Sequence, residues 1–196
     1  MQLRSMGSLK NEKKIVKGCI KGDRRSQQQL YEACYGKMMA VCLRYAKDDD
    51  SAQDVCQEAF LKVFNKLDKF EDRGSLEGWI RRIMVTTSID SIRKDKKNIA
   101  DVEIEKVVGD ESNNPLEEED SSIFDGLSFD VIKEHMQKLT PAYRSVFNLY
   151  VVEEYSHKEI AEMLGISVGS SKSNLAKAKR NLRKEIEKDI YNLNDE

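Results

Sequence analysis

Tyr155 to Arg180 reads YSHKEIAEMLGISVGSSKSNLAKAKR, and it divides into a helix, a glycine-containing turn and a second helix loaded with lysine. Ser156 precedes Glu159 by three residues, the spacing at which a hydroxyl and a carboxylate cap a helix start reciprocally. Ile160, Ala161 and Leu164 then fall on one helical face, and Gly165 permits the tight turn. Ser167 caps the second helix, which carries Val168, Ser171, Leu175, Ala178 and Leu182 at roughly helical spacing. Lys172, Lys177, Lys179, Arg180, Arg183 and Lys184 crowd the rest of it. A short support helix followed by a basic helix is the shape that fits a DNA major groove. The plainer alternative is a helical hairpin with a solvated charged face.

The rest of the chain has the composition of a helix-rich protein: 35% of its 196 residues are charged, with two prolines and ten glycines. No apolar run is long enough to span a bilayer, and the N-terminus MQLRSMGSLKNEKK lacks the apolar core of a secretory signal. A cytoplasmic protein without membrane insertion is expected. Cys19, Cys34, Cys42 and Cys56 form no CxxC pair, and the two histidines, His135 and His157, lie far from them, so the spacing gives no zinc site. Reduced thiols acting as small core residues fit better. No cofactor signature is present.

The net charge of −2 conceals an asymmetry. Residues 100–126 hold ten acids and one base, a local −9, so the remainder carries +7. An acidic middle joining two basic ends points to a polyanion as the partner of the ends.

Four helical segments precede the acidic stretch. Lys10–Gly22 is short. Arg24–Ala46 carries Leu30, Cys34, Met38, Val41 and Tyr45 on one stripe. Asp48 to Ser51 supply cap and dipole chemistry for Ala52–Phe70, whose apolar face is Val55, Cys56, Ala59, Phe60, Val63 and Leu67. The three aspartates lack the further spaced oxygens of a calcium loop. Asp54, Gln57, Glu58, Leu61 and Asn65 point away from that face. Ser75 caps a helix from Leu76 to about Lys94, with Leu76, Trp79, Ile80, Ile83, Met84 and Thr87 toward the core. Arg82, Thr86, Ile89 and Arg93 occupy another stripe, and with Lys94, Lys96 and Lys97 this helix is expected to face phosphates.

The expected architecture is all-α: an N-terminal tail and short helix over 1–23, a helical bundle over 24–97, a flexible acidic linker over 98–127 and a second helical domain over 128–190. The second domain opens with a helix over Val131–Leu139. Thr140 then caps a helix with Pro141 at its first position and Val146, Phe147, Leu149, Tyr150 and Val151 on its apolar side.

Two stretches together resemble the two conserved regions of a sigma-70-type factor of the extracytoplasmic-function (ECF) group. One is Gln53–Phe64 (QDVCQEAFLKVF) with Gly74–Lys94 (GSLEGWIRRIMVTTSIDSIRK); the other is Leu139–Leu182. The resemblance covers roughly 24–97 and 130–187. It implies a region-two module that binds the clamp helices of core RNA polymerase and the −10 promoter element. It also implies a region-four module that reads the −35 element and touches the polymerase flap. The family's polymerase-binding helix matches Asp54, Gln57, Glu58 and Leu61. Its −10-reading helix matches Trp79–Lys94, which brings in Arg82, Thr86, Arg93 and Lys94, with Lys96 and Lys97 on the DNA backbone. Its −35-reading helix matches Ser167–Arg180, with Ser167, Ser170, Ser171, Lys172, Asn174, Lys177 and Arg180 as contacts. Members are commonly held inactive by an anti-sigma factor, which the resemblance makes a further expected partner.

The chain departs from the family pattern at named positions. Many members carry Arg-Asn where Val85-Thr86 stands, and Thr86 offers fewer hydrogen-bonding groups to an unstacked base. Asn174 replaces a common Arg or His; Asn pairs bidentately with adenine where Arg favours guanine. Two other classes compete with this reading. A plain DNA-binding regulator would use only Ser156–Arg180 and leaves the Asp54–Glu58 face unexplained. An enzyme lacks support, because the sequence has no P-loop, zinc signature or nucleophile–base constellation.

Overall fold

The computed structural model describes residues 11–71, 74–98 and 134–194. The chain divides after Ser91 into two compact units. Among the described residues every regular element is helical. Residues 1–10 of the expected tail, the acidic stretch from 99 onward and the first three residues of the expected Val131–Leu139 helix lie outside the described residues.

The first unit is built from α1 (Glu12–Ile20), α2 (Arg24–Tyr45), α3 (Asp49–Lys66) and the part of α4 (Leu76–Asn98) up to Ser91, with a 3₁₀ turn Leu67–Lys69 after α3. The starts of α2, α3 and α4 use local chemistry. Asp23 accepts from the Ser26 amide at 3.0 Å, and Asp48 accepts from the Ser51 amide at 2.8 Å. Their hydrogen bonds to Ser26 and Ser51 hold both carboxyls below the usual carboxylate range. Ser75 accepts from the Gly78 amide at 3.0 Å. Gly18 lets α1 close on α2, since a Cβ there would clash with the Ser26 side chain.

The core of this unit follows the 3.6-residue period. Leu30, Cys34, Met38, Val41, Cys42 and Tyr45 of α2 are buried, with Val55, Cys56, Ala59, Phe60 and Val63 of α3 and Leu76, Ile80, Met84, Val85 and Ile89 of α4. The Tyr31 and Phe60 rings lie 4.6 Å apart across α2 and α3, and Lys37 pairs with Glu77 at 3.0 Å between α2 and α4. All four cysteines are free and buried. Burial raises the Cys34 thiol to about 11, and Cys42 is raised by its hydrogen bond to Cys56 and by burial.

Two assignments on α4 change. Ile89, expected on the basic stripe, is buried at 2% exposure, and Asp90 takes the exposed position instead. The outward stripe therefore runs Arg82, Thr86, Asp90, Arg93, because steps of four and four keep to one face as well as four and three do. Trp79 is half-buried, its ring against Phe70 at 5.6 Å, so it edges the core and does not fill it.

In the second unit, residues 134–137 form a helical turn, followed by α5 (Pro141–Phe147), a π-helical segment (Asn148–Val152), α6 (His157–Leu164) and α7 (Val168–Asn194). Thr140 caps α5 with Pro141 at its first position. Met136, Val146, Phe147, Leu149, Ile160, Leu175, Ala178, Leu182 and Ile186 make the core. His135 meets Asp189 at 3.4 Å and Lys138 meets Glu185 at 3.6 Å, which ties the 134–139 segment to the far end of α7.

The π segment was not foreseen. Glu153 N donates to Asn148 O five residues back at 3.0 Å. The wider turn advances the chain by less angle per residue, so Tyr150 and Val151, expected in the core, are 40% and 46% exposed.

Candidate nucleic-acid and partner interface

The helix-turn-helix is assembled by its caps. Ser156 Oγ accepts from the Glu159 amide while Glu159 accepts from the Ser156 amide at 2.9 Å, completing the reciprocal cap of α6. Gly165 closes α6 at φ 66°, a left-handed conformation that a side chain would strain. Ser167 then starts α7 by accepting from the Ser170 amide at 2.9 Å. Buried Leu175, Ala178 and Leu182 turn one side of α7 inward. That leaves Lys172 and Arg180 exposed, with Asn174, Lys177 and Lys179 at the edges.

The serines expected on DNA are otherwise engaged. Ser171 is fully buried, its Oγ 2.9 Å from His157 Nδ1, because it shares the inward stripe with Leu175 and Ala178. It is removed from the candidate contacts. The Ser167 and Ser170 hydroxyls bond each other at 2.8 Å while Ser167 also caps the helix. Val168, expected on the inward stripe, is 43% exposed at the first residue of α7. Ser173 is exposed on the outer side with Arg180, and the sequence reading missed it; its seven-residue separation from Arg180, two helical turns, was the available signal. Tyr150 stacks on the His157 ring at 4.5 Å. Burial, then the nearby Lys172 charge, lowers the His157 pKa from its ordinary value.

On α4, Arg82, Thr86, Arg93 and Lys94 are all exposed, and Lys96 and Lys97 continue the helix. The Thr86 hydroxyl points back to the Arg82 carbonyl at 2.9 Å and the Ile83 carbonyl at 3.1 Å. Its single proton is thereby spent within the helix, and only acceptor capacity faces outward. Asp90 interrupts the positive charge of the stripe.

On α3, Asp54, Gln57 and Leu61 are exposed and Glu58 half-exposed. Offsets of three, four and seven put them on one face. Glu58 pairs with Lys62 at 2.8 Å, and Lys62 also reaches Thr87 Oγ1 at 3.3 Å. Leu61 is 65% exposed, a large apolar side chain one turn along α3 from Gln57 and Glu58. Among the described residues no cluster of His, Cys, Asp and Glu could hold a metal ion, and no helix is long and apolar enough to cross a membrane.

Two segments of the chain match known families. The sigma-70 region 2 family model matches residues 30–98, and the sigma-70 region 4 family model matches residues 129–182. The chain is 29% identical over 180 residues to the ECF RNA polymerase sigma factor SigW of Bacillus subtilis (strain 168), covering 89% of this chain and 96% of that protein. It is 31% identical over 144 residues to the RNA polymerase sigma-E factor of Streptomyces coelicolor, covering 73% of this chain and 76% of that one. Its fold is similar to that of the sigma factor RpoE from Bartonella quintana, solved in complex with the anti-sigma factor NepR, with TM-score 0.50 and 22% identity over 82% of this chain and 96% of that one. The chain belongs to the sigma-70 family, as a factor of the extracytoplasmic-function group.

Proposed function

We propose that this protein binds core RNA polymerase and directs promoter-specific transcription initiation, reading the −35 element with α7 and capturing the melted −10 element with α4. The observation that carries the reading is a pair of surfaces in one chain: the exposed Asp54, Gln57, Glu58 and Leu61 face on α3, and the basic helix of a capped helix-turn-helix. A DNA-binding regulator needs only the second. The working boundaries are 24–97 for the polymerase and −10 module, 98–127 for the acidic linker and 128–190 for the −35 module; matched spans of 30–98 and 129–182 support them.

No covalent bond is made or broken in this mechanism. The α3 face docks on the polymerase clamp helices, with Leu61 burying apolar surface and the acids steering the approach. Lys172, Asn174, Lys177 and Arg180 then engage duplex DNA through phosphates and base edges. When the −10 strands part, Arg82, Thr86 and Arg93 meet unstacked bases, and Lys94, Lys96 and Lys97 hold the backbone. Affinity for the open form alone is what shifts the melting equilibrium. Thr86, with its proton committed to the helix, favours bases that present a donor. The protein works where the polymerase is, in the cytoplasm. An anti-sigma factor is the expected regulator, a reading supported by the capture of the Bartonella quintana relative in such a complex.

Pull-down with core polymerase of the source organism tests this. Retention of wild type and loss on Glu58→Lys are expected. No retention of the wild type, together with binding to DNA alone, would replace the reading with a plain DNA-binding regulator.

A further inference from the structure

We infer that Val168 reads the 5-methyl group of a thymine in the −35 element. This rests on the assignment of α7 as the −35-reading helix. In a helix-turn-helix the N-terminal residues of the recognition helix contact base edges, and the structure removes most of the first turn of α7 from that task. Ser167 is the cap, Ser170 is bonded to it at 2.8 Å, Ser171 is buried against His157, and Gly169 has no side chain. Val168 remains, 43% exposed, in a turn whose other side chains are hydroxyls.

Val168 is a β-branched apolar side chain open to water at the tip of a basic helix, so its methyls are available to a partner. It suits a partner that is anionic overall and apolar at one point. Duplex DNA offers that combination in the major groove, where the thymine methyl is the single apolar feature of the base edges. Lys172 lies one turn along α7 from Val168 and is exposed, so it can hold a phosphate or a guanine edge beside the same base pair. Val168 has two methyl groups on Cβ and a stiff χ1, so its contact surface is already ordered before binding.

The experiment uses the full chain in complex with core polymerase and a −35 duplex selected by that complex from a random-sequence library. Each thymine is replaced in turn by deoxyuridine, which lacks only the methyl, and affinity is read by fluorescence anisotropy for wild type and Val168→Ala. One position is expected at which loss of the methyl weakens wild type roughly fourfold, the worth of one buried methyl-sized group. At that position Val168→Ala is expected to show no penalty, as coupling between the two groups requires. Three results would overturn the inference while leaving the −35 reading intact: a selected motif without thymine, no penalty at any position, or a penalty that persists unchanged in Val168→Ala. Failure of the complex to select any duplex motif would overturn the −35 reading, and the inference with it. Val168 is exposed, so the variant is expected to melt as wild type does.

Discussion

His157 Nδ1 lies 2.9 Å from Ser171 Oγ and joins the support helix to the recognition helix from within the second unit. The Tyr150 ring covers the imidazole at 4.5 Å. The bond adds to the buried Leu175, Ala178 and Leu182 in setting which side of α7 turns outward. Ser171→Ala leaves the imidazole nitrogen without this partner and is expected to cost about 1 kcal/mol in the second unit by chemical denaturation. Unchanged stability would show the contact to be incidental.

The same histidine makes stability depend on pH. Its folded pKa is lowered, first by burial and then by Lys172, from an ordinary value of 6.5. The unfolded chain therefore binds the proton more readily. The contribution is present above about pH 6.5 and is lost as pH falls toward the folded value. The second unit is expected to gain stability as pH rises toward about 6.5, and His157→Gln should flatten that slope. A slope that survives the substitution would place the titrating group elsewhere.

Leu61→Asp is expected to weaken core-polymerase binding by about tenfold or more, since a buried leucine is worth about 1.5–3 kcal/mol. Far-ultraviolet dichroism should not change, because Leu61 is 65% exposed. Unaltered affinity would move the polymerase site off α3.

Lys172→Ala and Lys177→Ala are each expected to lower −35 affinity and to reduce the slope of log affinity against log salt by about 1. A full wild-type slope in both variants would mean that α7 does not lie along the phosphates.

Trp79 is the single tryptophan and sits beside Phe70, half-buried, so its fluorescence reports the first unit alone. Trp79→Ala is expected to cost about 2 kcal/mol, below the ~3–5 typical of a fully buried aromatic. A variant that fails to fold would show that the ring carries more of the core than its exposure indicates.

Much of this architecture was legible because it rests on short-range chemistry. Thr140, Ser156 and Ser167 each cap a helix, and Gly165 ends one, as spacing and residue type alone foretold, while α3 starts at Asp49, three residues earlier than expected, with Asp48 of the Asp48–Ser51 group as its cap. The apolar stripes of α2 and α3 were equally plain. What escaped depends on small angular differences. Ile89 and Asp90 are adjacent, and only packing against the core decides which faces inward. The π segment breaks the 3.6-residue count and carries Tyr150 and Val151 to the surface. Ser171 carried both a core spacing and a polar side chain, and His157 decided between them by supplying an internal hydrogen-bond partner. Val168 fell at the end of an apolar stripe, where position along the helix outweighs direction around it.

The most direct test of the central claim is reconstituted transcription from a genomic DNA library with core RNA polymerase of the source organism, with and without this protein. Transcripts that require the protein and begin downstream of one shared two-part motif are expected, and that motif would give the −35 and −10 preferences together. An identical set of transcripts in both reactions, with a core enzyme shown to be active with another sigma factor, would contradict it.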